Sequence, residues 1–176
     1  MTITPTQFRD AFCRVASTRK KDLVRYWKGN NTFYSKTIFA MLPEIATELT
    51  LSVYPRDYYT LDAVFYLQKD TEHFPESMTY VKKIEVAFEH ENQLAGSEAE
   101  MNKLQLFSAP LKVLVTYATD KYRQQYLERY TKIIRCADAF SDIGTLRRQL
   151  VIFGELVSDQ PRWYSYQYEQ EGFVEI

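Results

Sequence analysis

The side chains best suited to chemistry in this chain are carboxylates that stand where carboxylates are disfavoured. Asp62 opens the apolar run LDAVFYL (61–67), although aspartate is depleted in strands. Glu85, Glu89 and Glu91 punctuate TYVKKIEVAFEHEN (79–92) at a spacing that puts all three on one face of an extended strand. Unpaired carboxylates packed together repel one another. A hard divalent cation makes such a cluster favourable, because ions such as Mg²⁺ take oxygen ligands, often carboxylates plus water. A cation held there would polarise a phosphodiester and lower the pKa of an attacking water. The same spacing also describes a half-exposed strand face balanced by Lys82 and Lys83, and the pattern alone leaves both readings open.

Other candidate groups carry less. His90 alternates onto the face opposite Glu89 and Glu91, where a lone histidine is more often structural than a ligand or base. Asn92 is expected to end the strand, and His73 lies in a polar loop without a role. Two histidines and no nucleophile elbow give no Ser-His-Asp or Cys-His arrangement. The basic stretch from Arg14 to Lys28, with Tyr26 and Trp27, has the composition to meet a phosphate backbone and stack bases. The reading preferred for it is a solvated helix face with some aromatics turned inward, since the formal net charge is only −1. Arg147-Arg148 is a weaker basic feature, and the tyrosines of 122–130 read as core.

The elements that must position these groups follow from periodicity. Residues 5–17 carry Phe8, Phe12, Val15 and Ala16 at helical spacing, with Pro5 suited to the first turn. Gly29-Asn30-Asn31 interrupts the pattern, and Thr32 is placed to cap a helix reaching Leu49. Its buried stripe would be Phe33, Ile38, Leu42, Ile45 and Leu49, with a kink or break at Pro43. TLSVYPRDYY reads as an edge strand or ordered loop because of Pro55, and LDAVFYL as a central strand. QKDTEHFPES is turn-like, and residues 79–92 form one long strand that makes a hairpin with LDAVFYL. Ser97-Glu98-Ala99-Glu100 has the form of a capping box opening a helix to about Phe107. LKVLVTYA (111–118) is a strand buried on both faces. A long helix then runs from Asp120 to about Phe140, with Tyr122, Tyr126, Tyr130, Ile133, Ile134 and Ala137 inward. QLVIFGELV (149–157) is a further strand, and the aromatic-polar tail RWYSYQYEQEGFVEI pairs at the sheet edge. The order α-α-β-β-α-β-α-β-β specifies an α/β fold, a mixed β-sheet with helices on both faces.

Composition sets the outer bounds. A length of 176 residues suits one domain, 1–176, large enough to bury roughly 70% of the surface its unfolded form exposes. The 45% apolar and 26% charged fractions are those of an ordinary globular protein. The scarcity of glycine, five in all, argues against phosphate-cradling Gly-rich loops. Cys13 and Cys136 make neither a disulfide framework nor a zinc knuckle, which suits a reducing cytosol and a cytoplasmic location. MTITPTQFRDAF lacks the apolar stretch of a signal peptide, and no segment approaches the roughly 20 apolar residues of a membrane span.

The run of Asp62 in LDAVFY, then IEVAFEHEN, EMNKL and LKVLVTYA resembles the core of the PD-(D/E)XK nuclease superfamily, the restriction-endonuclease-like fold. It is most similar to members with an EHEN signature ending the third core strand. The match covers about residues 44–118, behind a helical N-terminal extension, 1–43. The resemblance implies a helix-β-β-β-helix-β core, Mg²⁺ or Mn²⁺ as cofactor and nucleic acid as substrate. It assigns Asp62 as the motif aspartate and Glu89 as the second acid, with Glu85 taking that place if the hairpin register differs. Glu91 falls where the family places the lysine that orients or activates water, a role Lys103 on the next helix could supply. Glu48 would be an additional metal ligand and Glu44 a weaker choice. Two functions follow. One is a divalent-metal-dependent phosphodiesterase using Asp62, Glu89, Glu91 and Lys103. The other is an inactive or repurposed binding module, favoured by the glutamate at the lysine position and by the aromatic tail WYSYQY.

Overall fold

The computed structural model describes residues 2–27, 31–55, 57–73, 79–138, 148–170 and 172–176. Helix α1 (Pro5–Thr18) opens at Thr4, whose hydroxyl accepts from the Gln7 amide while the Gln7 side chain accepts from the Thr4 amide. Thr18 and Arg19 end it, and the basic stretch forms a helix of its own, α2 (Lys20–Trp27). Helix α3 (Asn31–Glu48) runs through Pro43 without dividing, and buries Ile38, Leu42, Ile45 and Leu49 against α1 and the sheet. Phe33, expected in that stripe, is exposed and stacks on Tyr26 at 5.4 Å.

Seven strands form the main sheet: β1 (Ser52–Tyr54), β2 (Ala63–Tyr66), β5 (Val86–His90), β6 (Leu111–Tyr117), β7 (Arg148–Val157), β8 (Gln160–Glu169) and β9 (Gly172–Glu175), adjacent in that order. The β1-β2-β5 pairings are antiparallel, β5-β6-β7 are parallel, and β7-β8-β9 are antiparallel again. The mixed sheet expected from the sequence is therefore present, with one more helix and a longer C-terminal meander than anticipated. The long strand expected over 79–92 is broken. Residues 79–81 leave the sheet as β4 (Thr79–Val81), which pairs with β3 (Thr71–His73) in a separate two-stranded ribbon.

Side-chain alternation divides the interior in two. Phe65, Phe88, Val113, Val115, Leu150 and Ile152 face α1 and α3. Val64, Ala87, Leu114, Val151 and Phe153 face the other way, towards α4 (Ser97–Gln105) and α5 (Asp120–Asp138). The expected capping box at Ser97 does not form. Gly96 is the N-cap, and the Ser97 hydroxyl instead bonds to Leu94 O and the buried Tyr130 hydroxyl, each at 2.5 Å. Tyr122 is exposed rather than inward, while Tyr130 and Ile134 fill the core as expected. Phe140 and Arg147 lie outside the described residues. Among those described, no helix is long and apolar enough to cross a membrane.

Gly154 of β7 lies between Tyr117 and Trp163 on its two neighbouring strands, and both rings close over it. A Cβ there would come within 2.7 Å of Tyr117 and 2.8 Å of Trp163. Gly154→Ala should therefore destabilise by about 1–3 kcal/mol through forced displacement of the two rings. A chemical-denaturation midpoint unchanged from wild type would refute this packing.

Candidate active site

The register of the β2–β5 hairpin decides which acids meet. Ala63 pairs with Phe88, so Asp62, one residue before β2, stands opposite Glu89. The His90 amide donates to Asp62 Oδ2 at 2.8 Å, fixing that carboxylate at the end of the ladder. Glu89 shares the face of Ala87, and its side chain points under α4 with no exposure to solvent. From α4, Lys103 reaches down so that its Nζ lies 2.9 Å from Glu89 Oε1 and 2.5 Å from Glu100 Oε2. The same Nζ donates to Thr60 O at 3.0 Å. Asp62, Glu89, Glu100 and Lys103 thus form one cluster, closed at Glu89 and partly open at the other three.

Burial first, and then the negative charge of Asp62, push the Glu89 carboxyl up to about 9, against the pull of Lys103. Burial also raises Asp62, but the His90 amide, a hydrogen bond with Glu89 and the charge of Lys103 all favour its ionised form. The balance favours an ionised aspartate beside a protonated glutamate. Neither Glu89 oxygen accepts a well-directed hydrogen bond, and Lys103 approaches it as a charge rather than along a lone pair. Burial works against the Lys103 ammonium, yet Glu100 and Glu89 outweigh it and raise its pKa.

The segment entering the site is strained. Tyr58 and Leu61 exchange backbone hydrogen bonds of 2.8 and 3.1 Å, and between them Tyr59 and Thr60 have φ of 48° and 80°. Such turns favour Asn and Gly, and a β-branched residue in the left-handed region costs about 1–2 kcal/mol. The Tyr58 hydroxyl anchors the turn by accepting from Val81 N at 3.0 Å and donating to Val81 O at 3.3 Å.

The other anticipated residues stand elsewhere. Glu85 lies four residues back along β5 from Glu89, roughly 13 Å. It is buried and paired with Lys83 at 2.5 Å, so the register selects Glu89 as partner of Asp62. Glu48 is held by Arg14 at 2.8 Å and Glu44 by Arg19. Ser35 of α3 contacts Asn92 beside the site, and Glu48 lies roughly 20 Å further along that helix. Glu91 turns back on its own loop, accepting from the Gln93 amide at 2.7 Å and covering Gly96. The expected ligand set of Asp62, Glu89, Glu48 and Glu85 is therefore not assembled. Among the described residues no group of three or more His, Cys, Asp or Glu is arranged to hold a metal ion.

His90 occupies the opposite face, as its alternation required. Its Nε2 lies 2.7 Å from the Tyr117 hydroxyl, Tyr34 and Phe39 flank the ring, and burial depresses its pKa to about 3. Trp27 packs inward on Tyr34, Tyr117 and Trp163, in keeping with the preferred reading of the basic stretch. Trp163 also meets Phe12, and Arg123 covers the Tyr164 ring at 3.8 Å, so these tail aromatics serve the fold. Glu100 was not anticipated as a site residue. Its spacing of three from Lys103 on one helix was the available signal, obscured by its fit to a capping box. No protein-family model and no curated protein matches the chain.

The protonated Glu89 has a consequence for stability. The folded state holds a proton that the unfolded chain releases near the ordinary value of 4.5, so stability is lost as pH rises from there towards about 9. Glu89→Gln should remove that loss. Its thermal midpoint should gain on wild type as pH increases across this window, and a pH-independent difference would contradict a buried, protonated Glu89.

Proposed function

We propose that this chain is a divalent-metal-dependent hydrolase of phosphodiester bonds in nucleic acid. The observation that carries the reading is the convergence of Asp62 and Glu89 on adjacent strands with Lys103 Nζ 2.9 Å from Glu89. Further support comes from the order α3-β1-β2-β5-α4-β6, with its antiparallel hairpin followed by a parallel strand. With the β3–β4 ribbon between β2 and β5 set aside, this order supports the helix-β-β-β-helix-β reading drawn from the resemblance to the PD-(D/E)XK core.

The residues fit a small hard cation. Glu89 has two buried oxygens without directed donors, and Asp62 is partly open to solvent beside it. Two carboxylates with an open side suit Mg²⁺ or Mn²⁺, which keep waters and take substrate phosphate oxygens as remaining ligands. When bound, the ion supplies Lewis acidity and a more acidic water. Asp62 and Glu89 would hold it, with Glu100 at the rim. Glu89 must lose its proton first, so affinity should rise with pH. Lys103, which donates to Thr60 O and pairs with Glu100, would stay tethered beside a bound ion. It would orient the attacking water, the role left open by Glu91.

A second reading takes the Lys103 pairing as an end in itself. On it, Lys103 neutralises Glu89 as Lys83 does Glu85, and the domain is a binding module without catalysis.

Thermal unfolding in EDTA and in millimolar Mn²⁺ separates the two. Binding to the native state at ten times Kd contributes about 1.4 kcal/mol. The wild-type midpoint should rise by roughly 3–6 °C, and Asp62→Ala should abolish the rise. Lys103→Ala should keep a metal response but lose at least about a hundredfold in hydrolysis of a nucleic-acid substrate. No response in the wild type would select the second reading.

A further inference from the structure

We propose that Tyr59 is a stacking platform for the bases of an unpaired nucleic-acid strand at the mouth of the carboxylate cluster, with Tyr80 a second exposed ring near Tyr58. The inference rests on the hydrolase reading and names the form of its substrate. Tyr59 is 57% exposed and Tyr80 45%, and both lie around Tyr58, whose hydroxyl is fixed to Val81. Tyr58 braces Tyr59, with ring centroids 4.9 Å apart and planes nearly perpendicular. The backbone after Tyr59 is tied to the site itself, since Thr60 O accepts from Lys103.

Three features argue against an incidental surface tyrosine. The turn is strained at two consecutive residues, where asparagine or glycine would sit without strain. Backbone strain of this kind persists where the surroundings enforce it, and it gathers at functional sites. The turn positions the Tyr59 ring together with the Thr60 carbonyl that accepts from Lys103. Second, the ring is held from below by Tyr58 and left open to solvent, the arrangement in which successive bases stack on aromatic side chains. Third, the chain has a formal charge of −1, so affinity for a polyanion must draw on contacts other than bulk charge. Exposed Lys69 on the adjoining excursion would supply a local phosphate contact. A duplex hides its base faces, and an unpaired strand presents them.

The test is fluorescence anisotropy in EDTA, which prevents hydrolysis. The probe is a labelled oligothymidine of about 12 nucleotides, within the range such sites span. Its hybridised duplex and an abasic strand of equal length are the comparisons. Wild type should bind oligothymidine in preference to either. Tyr59→Phe should retain binding, and Tyr59→Asn should lose roughly tenfold on oligothymidine with no change on the abasic strand. Because asparagine accepts the left-handed backbone, Tyr59→Asn should also unfold at a higher temperature, which separates lost binding from lost folding. Equal affinity of wild type and Tyr59→Asn, equal affinity for duplex, or no binding at all would overturn the platform. Ring-dependent binding without any Mn²⁺-dependent cleavage would sustain the platform and defeat the hydrolase reading. Cleavage indifferent to Tyr59 would do the reverse.

Discussion

A hydrogen bond from the His90 amide to the Asp62 carboxylate caps the β2–β5 ladder, whose register is carried by the pairs Ala63–Phe88, Val64–Ala87 and Phe65–Val86. Side chains alternate with a period of two, so a slip of one residue would turn Glu89 towards the aromatic layer of α1 and α3. It would also bring the His90 imidazole under α4. That register sets which acid faces Asp62, and it leaves Glu89 beneath α4, where Lys103 reaches it. The parallel step from β5 to β6 then holds α4 across this face, because the helix forms the crossover between the two strands.

The two faces of β5 solve the burial of a polar group differently. On one, His90 stays neutral between Tyr34 and Phe39 and exchanges its polarity with the Tyr117 hydroxyl. On the other, burial and then the charge of Asp62 favour the neutral form of Glu89, against the pull of the adjacent Lys103. The first arrangement is complete within the protein. The second leaves the buried Glu89 oxygens without a hydrogen-bond partner and Asp62 half-buried beside them. Elsewhere the chain spends its charges internally: Arg14 and Arg19 clamp α3 through Glu48 and Glu44, and Arg123 joins Asp120 to Glu155.

Much of this was legible from the sequence because period and composition report on single elements. The continuous apolar run LKVLVTY could only be a strand covered on both faces, and Asp62 and Glu89 stood out as acids in apolar surroundings. What failed depended on tertiary partners. Glu91 and Glu89 share a face, yet the chain leaves the sheet after His90, and Glu91 bonds to its own loop. Glu48 and Glu44 look like free acids until Arg14 and Arg19 are brought across from the preceding helix and the turn that follows it. Ser97 matches a capping pattern, but the Tyr130 hydroxyl, far along the chain, competes for its side chain. The break between Val81 and Val86 hides in a stretch of good strand formers, since nothing local shows that residues 79–81 pair outside the main sheet.

The neutral Glu89 also alters the molecule as a colloid. Counting residues gives a formal charge of −1, with every glutamate taken as ionised. Holding a proton on Glu89 takes that formal count from −1 to zero, which weakens long-range repulsion between copies. Repulsion between copies then comes from how exposed charges are distributed rather than from their sum, and salt screens it.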